Sequence, residues 1–388
     1  MVTYLKQFFV AVTLLLTSVA AINWGIDPFA IWHNKCLENV NCHKTEAGDK
    51  IYLTKAYQWR YIEPDVIILG NSRPELGLNP ESPYFNGQNV YNLAIRGAGV
   101  TTQVEYLLNL LEQKKPKRVI MSVDFLDLIQ SADGVAQWPP NVTRSSNLPM
   151  TLMGEKNTYY PLNNAKSHLS SLLSLNSLLA SLKTILYQQS KTNHTRLDGF
   201  NQADGFIPIV NNEGILALFE EKEQSLRKWL TGQDFVLYDS TGVSTGFNTL
   251  FLLFAELEKK GIQLDLFISP YHQEYLHILE SSGHFDLYLA WKKELVEQLS
   301  ETGYFSKNRL LDFSGFNRYS SEAVPTERGA FMQWYWEPSH YRQELGEVVI
   351  QHIVSNNTEF ELSLDNVEER LANEKALLKR FNVQIDNN

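Results

Sequence analysis

The run Val66-Ile67-Ile68-Leu69, closed by Gly70-Asn71-Ser72-Arg73, sets the terms on which this chain can fold. Four consecutive apolar residues offer no polar face, so a strand built from them must be covered on both sides. Pro64 and Gly70 bound the strand, read as Asp65–Leu69. Asn89–Leu93 and Lys117–Val123 repeat the pattern, and between them Val104–Gln113 carries leucines at helical spacing. Strand, turn, helix and strand in this order call for right-handed crossovers and a parallel sheet. The rhythm returns with a helix at Asn248–Lys260, a strand at Leu264–Ser269 and a helix about Tyr288–Ser300. Leu310–Phe313 reads as a short final strand, and Val348–Val354 as part of a last helix of the domain. The expected fold class is α/β, with a central parallel sheet between helical layers.

The middle, residues 131–234, breaks the rhythm and reads as a helical insertion or cap. It holds one Leu/Ser-rich helix near Lys166–Gln188 and a charged one near Glu213–Leu230. Lys and many serines argue against a membrane span near Lys166–Gln188, leaving a packed amphipathic helix as the expectation. Residues 361–388 read as a charged helical tail.

Residues 1–26 are a different case. After Lys6 an uncharged stretch runs from Phe8 to Ile26, about 19–20 residues, the length that crosses a bilayer as a helix. The basic residue on its N-terminal side places the remainder outside the cytoplasm. An uncleaved anchor in the inner membrane is favoured because the stretch outlasts a signal-peptide core. A cleaved signal peptide stays open, since Ser18-Val19-Ala20 resembles a cleavage site. Residues 27–60 read as an irregular connection. Within it lie the only two cysteines, Cys36 and Cys42, whose proximity in an exported chain points to a local disulfide. His33 and His43 could complete a metal set with them, a reading that an oxidising compartment disfavours. A net charge of -10 argues against a nucleic-acid partner.

Ligands of open α/β sheets sit beyond the carboxyl ends of the strands. Ser72, Gly97, Asp124 and His272 all follow strands. Trp336-Glu337-Pro338-Ser339-His340-Tyr341, near the end of the α/β region, adds a carboxylate and an imidazole three residues apart. A nucleophilic serine needs a base, and the base an orienting acid. Ser72, His340 and Glu337 are the candidates, with Asp312 as an alternative acid. The competing reading makes Ser72 the cap of a helix beginning near Pro74. His272 is a candidate for holding a sugar hydroxyl or, equally, a structural histidine. The neighbouring aromatics Trp334, Tyr335 and Trp336 could wall a sugar ring or fill the core.

Gly70-Asn71-Ser72-Arg73 resembles the first block of the SGNH/GDSL-type hydrolases and acyltransferases, where a Gly-Asp-Ser turn carries the nucleophile. Asn92-Leu93-Ala94-Ile95-Arg96-Gly97 resembles the second block, whose glycine amide joins the oxyanion hole. Glu337-Pro338-Ser339-His340 is similar to the last, in which an acid precedes the histidine by three residues. The likeness runs over Asp65 to Val354 and is greatest to exported, singly anchored bacterial members, some of which work with membrane acyltransferases to O-acylate polysaccharides. It implies a three-layer α/β/α sandwich over residues 61–360, of flavodoxin-like type, needing no cofactor. It further implies acyl-ester hydrolysis or transfer on a cell-envelope polysaccharide.

The chain departs from the family pattern at three places. Asn71 and Glu337 each stand where the family has aspartate. The third block, Gly-x-Asn-Asp in the family, is Ser122-Val123-Asp124-Phe125 here. An ionised Asp124 at the oxyanion position would repel the charge that position should stabilise, unless it pairs with a cation, for which Arg73 is the candidate; Arg73 is also a candidate for substrate binding. An alternative follows, a scaffold without turnover that binds polysaccharide or a membrane acyltransferase. An active site requires Ser72 within reach of His340 and Asp124 turned away or paired to Arg73. A scaffold would leave Ser72 as a helix cap.

Overall fold

The computed structural model describes residues 1–32, 36–134, 147–189, 195–355 and 357–386. Helix α1 (Val2–Ile26) is about 37 Å long at 1.5 Å per residue, and it is long and apolar enough to cross a membrane. Only Asn23 on it is fully buried. The connection that follows is more ordered than its sequence suggests. Cys36 and Cys42 are joined as a disulfide, which leaves neither sulfur for a metal. Helix α2 (Ile51–Tyr57) and flanking 3-10 turns then pack Tyr57 and Trp59 into the core.

The α/β unit begins with β1 (Val66–Leu69), α3 (Ser72–Gly77), β2 (Val90–Asn92), α4 (Val100–Leu111), β3 (Arg118–Val123) and the single turn α5 (Phe125–Leu128). A two-residue strand, β4 (Gln130–Ser131), opens the inserted segment. That segment carries α6 (Tyr160–Leu173), α7 (Leu175–Leu186), α8 (Phe206–Asn212) and α9 (Ile215–Leu230). The antiparallel partner of β4, β5 (Phe235–Val236), closes it, so the insertion is clasped at its neck. The unit resumes with α10 (Thr245–Lys260), β6 (Gln263–Ile268), α11 (Gln273–Ser281), α12 (Phe285–Glu301) and β7 (Leu310–Asp312). It ends with the hairpin β8 (Tyr335–Glu337) and β9 (His340–Tyr341), then α13 (Gln343–Val354), β10 (Glu361–Leu362) and α14 (Val367–Asp386).

The main sheet has the order β10-β7-β6-β3-β1-β2. All its pairings are parallel except β10 on β7. Leu310–Asp312 is therefore not the final strand, because the chain returns to cover that edge. Alternate residues of the strands enter opposite cores. Ile67, Leu69, Val119, Met121 and Leu266 join a cluster with α4, α10 and α12. Val66, Ile68, Ile120 and Phe267 join another with α13 and the hairpin. The unbroken apolar run of β1 is thus explained by burial on both faces.

Two helices differ from expectation. The Leu/Ser-rich stretch is not one helix but two, bent by 57°. Ser174 takes an extended conformation there and its hydroxyl caps α7 by accepting from Ser177 N–H at 3.1 Å. Helix α3 starts at Ser72 rather than near Pro74. Asn71 takes the capping position, its Oδ1 accepting from Arg73 N–H at 3.0 Å. Pro74 falls in the first turn, where its missing N–H costs nothing.

Candidate active site

The strand order places β1 and β3 side by side, with the connections leaving them to opposite sides of the sheet. This is the switch point at which open α/β sheets bind ligands. Ser72 follows β1 there, and Asp124 follows β3. The turn between β1 and α3 needs Gly70, whose φ is +150°; a Cβ at that position would lie 2.5 Å from Pro74 Cγ.

Gly77, at the end of α3, lies against the ring of Tyr341, and a methyl group there would come 2.7 Å from Tyr341 Cζ. A methyl group on Gly346 of α13 would overlap the Gly77 carbonyl. Two absent side chains therefore let the helix bearing Ser72 nest against the hairpin bearing His340 and against α13.

The result is a continuous line of polar contacts. Ser72 Oγ lies 2.7 Å from His340 Nε2. His340 Nδ1 is bonded to Glu337 Oε1 across the hairpin turn. With Nδ1–H donating to the carboxylate, Nε2 of the neutral ring is the acceptor for the serine hydroxyl. Glu337 also accepts from Ser339 N–H at 3.0 Å and from Ser339 Oγ–H at 2.8 Å, and Lys222 Nζ stands 3.9 Å away. Burial would raise the Glu337 carboxyl, but His340, Lys222 and the Ser339 amide hold it down at about 2. Burial lowers His340 against the pull of Glu337, favouring the neutral imidazole. Ser72 is therefore no helix cap, and Glu337, not Asp312, is the carboxylate bonded to His340. Asp312 pairs with Lys292 at 2.9 Å instead.

Two backbone donors complete the picture. Among the described residues no acceptor takes the N–H of Ser72 or of Gly97. Ile95 N–H donates to Gly70 O at 3.0 Å, which fastens the loop carrying exposed Gly97 to the turn before Ser72.

Asp124, the residue in doubt for the oxyanion position, is fully buried and engaged beneath the turn. It accepts from Asn71 Nδ2 and from Tyr271 Oη, each at 2.8 Å, and Arg73 Nη1 lies 3.6 Å away. Asn71 Nδ2 also donates to Asp127 Oδ2 at 3.0 Å. Burial, then the charge of Asp124, pushes Asp127 up to about 7. The asparagine that replaces the aspartate of the resembled block thus bridges two carboxylates, where a third would add only repulsion.

Arg73 and His272, read as substrate-binding candidates, have other work. Arg73 is buried, with its guanidinium 4.9 Å from the Tyr271 ring centre. Its Nε donates to Ser339 O at 3.0 Å. His272 is wholly buried; Nε2 bonds Glu322 O at 2.7 Å and Nδ1 accepts from Glu274 N–H. Burial lowers it to about 4, so it is neutral. Its backbone N–H donates to Pro338 O at 3.0 Å. Both residues therefore grip the Pro338–Ser339 turn that presents Glu337 and His340, and neither is open to a substrate hydroxyl.

The aromatic triplet divides similarly. Tyr335 is core, Trp334 packs on Tyr319, and Trp336 stacks on Phe206 with centroids 5.3 Å apart. Phe206 also sits 6.4 Å from the His340 ring. Phe206 on α8 and Lys222 on α9 come from the insertion, a contribution that sequence reading missed because no local pattern joins them to His340. Among the described residues no three His, Cys, Asp or Glu side chains gather as a metal site. Comparison with known proteins adds nothing to this geometry: no family model matches the chain, and no curated protein matches it.

Proposed function

We propose that the chain is a serine acyl-ester hydrolase or O-acyltransferase, with α1 as an inner-membrane anchor, the α/β unit on the extracytoplasmic side and cell-envelope carbohydrate as substrate. The reading that it is an SGNH-type three-layer domain belongs to the same proposal. One observation carries it, the line from Ser72 Oγ through His340 to Glu337. That is the constellation acyl transfer requires.

In this reading His340 Nε2 takes the Ser72 proton as Oγ attacks the ester carbonyl. The amides of Ser72 and Gly97 receive the oxyanion. His340 then protonates the departing oxygen. Water or a sugar hydroxyl, deprotonated by the same nitrogen, takes up the acyl group, and His340 returns the proton to the departing Ser72 Oγ. Glu337 stays ionised and holds Nδ1–H throughout. These residues carry each step without a cofactor. The pairing of buried Asp124 with Arg73, Asn71 and Tyr271 supports this reading over that of a scaffold without turnover.

The test is acyl release from p-nitrophenyl acetate by the full chain in detergent micelles, beside Ser72→Ala and His340→Ala. Turnover lost in both variants supports the proposal. An inert wild type whose Ser72 also resists a fluorophosphonate would overturn it in favour of a binding scaffold.

A further inference from the structure

The α6–α7 pair is amphipathic the wrong way round for a surface in water. Leu162, Leu169 and Leu173 on α6, and Leu175, Leu179, Leu182 and Leu186 on α7, recur at helical spacing and face outward; Leu162, Leu175 and Leu186 are 74%, 69% and 75% exposed. Four of the hydroxyl residues face inward: Ser171, Ser177, Ser181 and Thr184 are buried. Soluble helices put the stripe inside and the serines outside. A contiguous outward leucine surface of this kind marks a partner or a lipid phase.

Its position selects the lipid. Both helices pack against α1, the one helix among those described that on its own is long and apolar enough to span a bilayer. Asn23, near the end of α1 that leads into the domain, donates from Nδ2 to Leu172 O at 2.8 Å. It accepts from Ser181 Oγ–H at 2.8 Å. The elbow of the pair is therefore pinned to the last turn of α1, where a spanning helix leaves the membrane. Residues 160–187 contain no Asp or Glu; Lys183 pairs with Glu46 at 3.2 Å, and exposed Lys166 suits an anionic headgroup.

We infer that α6 and α7 form a bent amphipathic pair seated in the membrane, its leucine face in the acyl region of the leaflet from which the domain emerges. The inference rests on reading α1 as a membrane anchor. It goes further by making part of the insertion a second membrane-seated element. The buried serines hold the inner face of the pair against the protein, and the bend of 57° makes it an elbow rather than a straight span.

Nitroxide accessibility tests this. The native cysteines are paired, so one introduced cysteine is a unique label site. Labels go on Leu179→Cys, Leu186→Cys, Leu14→Cys in α1 and exposed Leu364→Cys, each in the full chain in phosphatidylethanolamine/phosphatidylglycerol vesicles. Expected are oxygen collisions several-fold above those of a nickel chelate at positions 14, 179 and 186, and the reverse at 364. Lipid exposure at 14 with water exposure at 179 and 186 would overturn the membrane-seated pair and leave the anchor standing. Water exposure at 14 as well would remove the anchor and the seated pair together. Shielding of 179 and 186 from both reagents would mark a protein contact and also overturn it.

Discussion

Gly77→Ala puts a methyl group into the space held by the Tyr341 ring. The new carbon would overlap Cε2 of the ring and lie 2.5 Å from Cδ2, and ordinary contact starts at 3.4 Å, so the ring must retreat by at least about 0.9 Å. Tyr341 and His340 share the two-residue strand β9, so His340 moves with it. Added to a Ser72–His340 separation of 2.7 Å, that shift opens the gap to about 3.6 Å or more, past hydrogen-bond reach. A misplacement near 1 Å costs about 10²-fold in rate, or ~2.7 kcal/mol of barrier. Overpacking should cost a further ~1–3 kcal/mol of stability. The assay is the rate of Ser72 labelling by a fluorophosphonate, with urea unfolding in parallel. Gly77→Ala combined with Tyr341→Leu relieves the overlap and should recover most of the labelling. If Gly77→Ala loses the stability but labels within twofold of wild type, the glycine contact does not set the position of the base and the reasoning fails.

Two further outcomes follow from the electrostatics. A general base works as the neutral ring, and burial lowers His340 below its ordinary 6.5. The labelling rate should therefore rise with pH through an ionisation below 6.5, that of His340 itself. Glu337, held at about 2, adds no step in that range; a rise centred above pH 7 would refute this. Asp124→Asn removes the carboxylate beside buried Arg73 and should cost about 3–5 kcal/mol, read by urea unfolding. A loss below ~1 kcal/mol would show that the cation is held by Tyr271 and Ser339 alone.

What could be read from the sequence was what neighbouring residues decide. β1 was legible because an apolar run with no polar face has few other fates. Ser72, Glu337 and His340 were legible because each sits in a short segment whose spacing already implies its chemistry. The Arg73–Asp124 pair was legible because each residue follows a strand and a buried carboxylate there calls for a nearby cation. The bracing of the Pro338–Ser339 turn by Arg73 and His272 was not, since it depends on where three distant segments meet. Nor was the close approach of Gly77, Gly346 and Tyr341, because a glycine in sequence does not say what lies against it. The elbow at Ser174 carried a weak signal, a serine three residues before another, in a stretch where serines are too frequent for one to stand out.

The exit from α1 is stapled to the body rather than tethered to it. Asn23 is bonded to Leu172 and Ser181, Asn41 Nδ2 donates to Gly25 O at 3.1 Å, and Lys44 Nζ donates to Ile26 O at 2.8 Å. Asp27 then accepts from the amides of Ile31 and Trp32. A domain on a slack linker sweeps a hemisphere and meets substrates throughout that volume. With α1 in a bilayer, this domain keeps one tilt and one height. Ser72 then patrols a thin layer parallel to the membrane, so its encounter rate depends on what is present at that height rather than on bulk concentration.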